Sequence, residues 1–148
     1  ISMWVRPNVS SNSFHSSWNY FLWQKDPNVS NTTKQELGYY NDNGPRFKPY
    51  NQPGTDYDFS PDVVFNAGTW YHVVYIRRGT SLEIYINGTL ADSRNDFSGT
   101  LRLTGAGGEI RIGGQGGSTG FIGAMDEVRI YSRALTTAEI TSLYQVGI

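Results

Sequence analysis

The chain closes on one long strand followed directly by one short helix, and that ending leaves few folds open. Residues 120–147 read GFIGAMDEVRIYSRALTTAEITSLYQVG. Across 121–131 a strand puts Asp126, Val128 and Ile130 on one face. Met125, Glu127, Arg129 and Tyr131 fall on the other, because successive side chains alternate. One row must face a core, and the Val128–Ile130 pattern takes Asp126 to the buried side. Thr136-x-x-Glu139 then has the form of a capping box. Ile140, Leu143 and Tyr144 recur at helical spacing, and Gly147 can stop the helix.

The remainder reads as short strands and turns. Residues 2–6 alternate and stop at Pro7. Residues 18–25 are aromatic-rich, with Trp18, Tyr20 and Leu22 expected on one face and Phe21 and Trp23 on the other. Strands over 35–40 and 46–50 flank the turn Asn41-Asp42-Asn43-Gly44 as a hairpin. Residues 51–61 read as a long loop, and 63–65 as a short strand. In 70–77, Trp70, His72, Val74 and Ile76 share a face; in 81–87, Leu82, Ile84 and Ile86 do. Asn87-Gly88 signals a type I′ turn into 89–94. Two more short strands fall at 101–103 and 109–112, before a glycine-rich loop at 113–120. About ten short strands with regular turns indicate an all-β antiparallel sandwich with one short C-terminal helix.

At 148 residues the chain is expected to be a single domain, large enough for its own core. The net charge of -1 and the lack of like-charge blocks argue against nucleic acid as a partner. No apolar run is long enough for membrane insertion. The absence of cysteine removes disulfides, thiol nucleophiles and cysteine-bound zinc. Sequons occur at Asn8, Asn28, Asn31 and Asn87. His15 and His72 lack triad or metal partners at useful spacing, so a Ser/His/Asp hydrolase is not supported.

Four segments together resemble a known family. Ile1-Ser2-Met3-Trp4-Val5-Arg6-Pro7 resembles its early "aWvkP" strand, and Trp70-Tyr71-His72-Val73-Val74 its "W.HvA" strand. Leu82-Glu83-Ile84-Tyr85-Ile86-Asn87-Gly88 resembles its "l.lYvNG" hairpin. Residues 121–135 resemble its "f.G.iDevriynraLs" ending. The family is the laminin-G-like, concanavalin A-like jelly roll. The resemblance implies a two-sheet jelly roll over residues 1–148. It also implies a secreted or cell-surface module, usually non-catalytic, that binds a glycan, a polysaccharide or a surface protein, with recurrent calcium sites. The strand that usually precedes "aWvkP" has no counterpart here, which predicts an open edge that a partner strand could complete.

The candidate ligand residues are the first-half aromatics and their polar neighbours. Sugar rings stack on aromatic faces, and about half of these rings must be core. Tyr40, Tyr50 and Tyr57 flank loops and are the expected exposed platforms, with Trp18 beside them and Arg46 and Gln52 as polar contacts. Calcium takes carboxylate and carbonyl oxygens. That points to Asp126, Asp56, Asp58 and Asp42, although Asx-rich turns also form for their own backbone geometry. Retaining glycoside hydrolysis needs two carboxyls roughly 5–5.5 Å apart. Adjacent Asp126 and Glu127 are expected on opposite faces, so no enzyme activity is expected. The reading is a non-catalytic carbohydrate-binding module with possible Ca²⁺ dependence; the alternative is a protein–protein or structural module of an adhesin or extracellular assembly.

Overall fold

A strand with apolar side chains on both faces needs cover on both. Tyr71–Arg78 is such a strand, because Tyr71, Val73 and Tyr75 alternate with His72, Val74 and Ile76 and all six are buried. A second sheet covers one face and a helix covers the other. The computed structural model describes residues 1–10, 18–25, 34–40, 44–51, 55–57, 59–98, 108–114 and 120–147. For Trp18, Tyr40, Tyr50 and Asp56 it describes the backbone only.

In chain order the elements are β1 (Ser2–Pro7), β2 (Trp18–Lys25), β3 (Lys34–Tyr40), β4 (Pro45–Asn51), β5 (Thr55–Asp56), β6 (Tyr71–Arg78), β7 (Ser81–Ile86), β8 (Thr89–Arg94), β9 (Glu109–Ile112), β10 (Gly123–Arg129) and α1 (Thr137–Val146). Among the described residues the first sheet runs β10-β1-β6-β7-β8 and the second β5-β4-β3-β2-β9. Between them, Met3, Val5, Val73, Tyr75, Leu82 and Ile84 meet Phe21, Leu22, Leu37 and Phe47 in one core. Full burial of each such side chain is worth about 1.5–3 kcal/mol. This is the expected antiparallel sandwich with its short helix. Asn87 and Gly88 both have positive φ, 50° and 80°, as a type I′ turn requires. Two local expectations differ. Residues 63–65 form no strand, because Phe65 leaves the sheet to stack on Tyr71 at 4.0 Å. β5 falls inside the expected loop 51–61, and 101–103 lies outside the described residues.

Two bulges reset the strand faces. Ser2 pairs with Arg129, yet Trp4 pairs with Asp126, so β10 carries one extra residue. It falls at Glu127, whose φ of 50° is left-handed. Met125 and Val128 therefore both pack on the core, while Asp126 and Glu127 are both exposed. Simple alternation fails here: Asp126 is not on a buried face, and the two carboxylates do not point to opposite sides. In the second sheet Tyr20 pairs with Gly38 but Leu22 with Leu37. Phe21 and Leu22 consequently both enter the core, leaving Tyr20 and Trp23 on the outer face.

The helix starts where its sequence says. The Thr136 side chain accepts the Glu139 amide at 3.3 Å, and Glu139 accepts the Thr136 amide at 2.8 Å. Arg133 also bonds Glu139, at 2.9 Å. Arg133 first, and then the Thr136 amide, hold the Glu139 carboxyl down to about 2. Leu135 and Ile140 then cover Val74, Ile76 and Tyr85 of the first sheet. At the far end Trp4 lies between His72, at 5.2 Å, and Tyr144, at 5.8 Å. His72 Nε2 meets Ser2 Oγ at 2.8 Å, while its Nδ1 is buried without a partner. Burial, with the nearby Arg129 charge adding to it, holds the His72 ring down to about 4.

Two predictions follow from this packing. Non-glycine residues in the left-handed region store roughly 1–3 kcal/mol. Denaturant unfolding of Glu127→Val should therefore show a loss of about 1–2 kcal/mol, and Glu127→Gly no loss; equal losses would remove the strain argument. For His72, the unfolded chain takes up its proton near pH 6.5 and the folded chain only near 4. Stability from this group is full above 6.5 and falls as pH drops toward 4, by at most about 1.4 kcal/mol per pH unit. The unfolding free energy of His72→Gln, compared with the parent chain from pH 7 to 4, should lack that slope.

Candidate functional site

Directly paired residues of an antiparallel ladder share a face. With Leu22 and Leu37 pointing inward, the neighbouring row Lys48–Glu36–Trp23–Arg111 crosses the outer face of the second sheet. The adjoining row is Arg46–Gly38–Tyr20. Gly38 has no room for a side chain, since a Cβ would meet the Asn19 carbonyl oxygen at 2.2 Å. This small position lets β2 and β3 close tightly beside the aromatic rings.

The two rows combine a carboxylate, three cations and two aromatic rings. Glu36 is only 1% exposed and accepts from Tyr20 Oη at 3.3 Å. The Arg111 guanidinium sits 5.3 Å from the Trp23 ring centroid and is itself held by Glu109 at 3.0 Å. Trp23 is 5% exposed, and its indole Nε1 is buried with no hydrogen-bond partner. Burying an unsatisfied donor costs about 1–3 kcal/mol. A native chain rarely leaves one without a reason in an ion, a water or a ligand.

The residues singled out in the sequence divide unevenly. Backbone register pairs Trp18 with Tyr40 at one end of this sheet, next to the row that holds Arg46. Tyr50 pairs with Asp56 at the opposite end. Gln52, Asp42 and Asp58 lie outside the described residues. Tyr57 is a correction: it is 4% exposed and belongs to the core. β5 pairs back onto β4, so Tyr57 follows the inward phase; its amide bonds the Pro49 carbonyl at 3.4 Å. Its hydroxyl meets Ser98 Oγ at 2.8 Å, and its ring packs edge-on to Phe97. Asp126 is a second correction, exposed by the bulge, with Oδ1 accepting the Glu127 amide at 2.8 Å. Glu127 is bound by Arg129. Among the described residues, no group of three His, Asp or Glu side chains could hold a metal. Trp23, Glu36, Lys48 and Arg111 escaped the sequence reading. The register that sets Glu36 beside Lys48 and the bulge that turns Trp23 outward had no signal in the sequence reading.

Comparison with known proteins gives the same picture of the fold. No curated protein sequence matches the chain. Domain 4 of an extracellular arabinanase from Geobacillus stearothermophilus, solved with arabinotriose, superposes with a TM-score of 0.76 at 25% identity over 97% of this chain. This chain spans 65% of that one. The binding domain of Paraclostridial Mosquitocidal Protein 1 (TM-score 0.69, 20% identity) aligns over 99% of this chain and 36% of its own. The CBM40 module of a Ruminococcus gnavus sialidase, solved with α2,3-sialyllactose, gives 0.68 at 15% identity over 97% of this chain and 81% of its own. At those identities the last two share the fold alone. The profile of the concanavalin A-like lectin/glucanases superfamily matches residues 1–141, and the chain belongs to that superfamily.

Proposed function

We propose that this chain is a non-catalytic, extracellular carbohydrate-binding module that takes its glycan on the outer face of the second sheet. The observation that carries the reading is the unsatisfied Nε1 of Trp23, set in a row with Glu36, Lys48 and Arg111. A sugar that displaces Arg111 from the ring gains an aromatic face for its C–H surface. One of its hydroxyls then accepts from Nε1, and others reach the charged groups of the row. Trp18 and Tyr40 pair at one end of the same sheet. The arabinanase domain solved with arabinotriose supports a glycan as the ligand class. No helix of the described residues is long and apolar enough to cross a membrane. Secretion is inferred with it, as is any role for calcium, which would fall to Asp126, Asp42, Asp56 and Asp58.

The test is isothermal titration with arabinotriose, α2,3-sialyllactose and a panel of soluble polysaccharides. Trp23→Phe keeps a ring and removes the unsatisfied donor. It should weaken the best glycan about three- to tenfold, as expected for one lost hydrogen bond, while leaving the melting temperature unchanged or higher. A lower melting temperature with unchanged affinity would make Trp23 a packing residue only. If no glycan binds the parent chain, the alternative of a protein-binding module takes over. Repeating the titrations with calcium and with EDTA decides the metal: unchanged affinity and melting temperature remove calcium from the reading.

A further inference from the structure

We infer that the opposite face of the sandwich carries a second, separate site, for a neutral sugar, built on Trp70, Trp4 and Asp126. The inference rests on the glycan-binding reading but uses none of the same residues. Beyond the C-terminal end of α1, a pocket of 480 Å³ opens on the first sheet, lined by Trp4, Trp70, Asp126, Glu127, Tyr144 and Gly147. Register sets Asp126 beside Trp4 and Trp4 beside His72 in one outward row.

The walls of this pocket are held in place. Trp4 is 8% exposed and wedged between His72 and Tyr144. Gly147 lies so close that a Cβ there would meet Trp4 Nε1 at 2.3 Å. Trp70 is 38% exposed, with the Arg6 guanidinium 5.2 Å from its ring centroid. The bulge at Glu127 sends both neighbouring carboxylates to this side. Glu127 is bound by Arg129, while among the described residues Asp126 has no cationic partner and its Oδ1 accepts the Glu127 amide.

This arrangement has the chemistry of a sugar subsite. An open indole face takes the C–H surface of a ring. A carboxylate accepts hydroxyl hydrogen bonds more strongly than a neutral group does. The free charge of Asp126 repels carboxylated sugars, which selects neutral ones. Arg6, set over the Trp70 ring, disfavours a cationic ligand. Sites on opposite faces would let one module hold two strands of a polysaccharide at once.

Titration with neutral trisaccharides (arabinan, xylan, glucan and mannan fragments) tests this, read as ligands bound per chain. The parent chain should bind two, Trp70→Ala one, and Asp126→Asn should weaken the second site about tenfold. Trp23→Phe should leave that second site unchanged. Unchanged count and affinity in both Trp70→Ala and Asp126→Asn would overturn the inference and leave the sheet site standing. Loss of all binding in Trp23→Phe would do the same. An acidic trisaccharide that binds in a Trp70-dependent way would overturn the choice of a neutral sugar. If no neutral trisaccharide binds the parent chain while a soluble polysaccharide or α2,3-sialyllactose does, the second site falls and the sheet site stands.

Discussion

Phe21 and Leu22 are sequence neighbours, yet both enter the core, because β2 carries one residue more than β3 opposite it. The outer face of the second sheet depends on that insertion. Without it Trp23 would alternate inward and the Lys48–Glu36–Trp23–Arg111 row would lose its ring. β10 repeats the device at Glu127, where the core gains both Met125 and Val128 and the surface gains two adjacent carboxylates. A bulge redirects every side chain beyond it without altering which strands pair. The sandwich is thus conserved in pairing while its faces are re-aimed.

The helix plays the part of a third layer over half of the first sheet. Leu135 and Ile140 close a small core with Val74, Ile76 and Tyr85. Arg78 ties the same region together, donating from its guanidinium to the Leu135 carbonyl at 2.8 Å. This cover explains how β6 can be apolar on both faces, and why the uncovered strip beside Trp4 and Trp70 stands out from the rest of that sheet.

Much of this was legible in the residues. The alternation of His72, Val74 and Ile76, the Asn87-Gly88 turn and the Thr136–Glu139 box each rest on short-range physics, and each formed as read; Trp70 instead lies before the strand and is exposed. The site was less legible. Trp18, Tyr40 and Arg46 were picked for their chemistry and do fall on neighbouring register positions. The polar neighbours of Tyr57 and its long loop point to the surface. Its burial depends on β5 pairing with β4, a contact that two residues, Thr55 and Asp56, do not advertise. Asp126 was misplaced because a bulge marked by glycine is visible in a sequence, while one with glutamate at the left-handed position is not.

The two ends of α1 are fastened by groups with very different responses to acid. At its start the Glu139 carboxyl, clamped by Arg133 and the Thr136 amide, keeps its charge down to about pH 2. At its finish Tyr144 rests against Trp4 and His72, and the buried imidazole takes a proton near pH 4 with no acceptor waiting at Nδ1. Acid would therefore act on the two ends unequally. The contact that protonation would weaken first lies at the C-terminal end of α1, against the Trp4 wall, and not at its first turn.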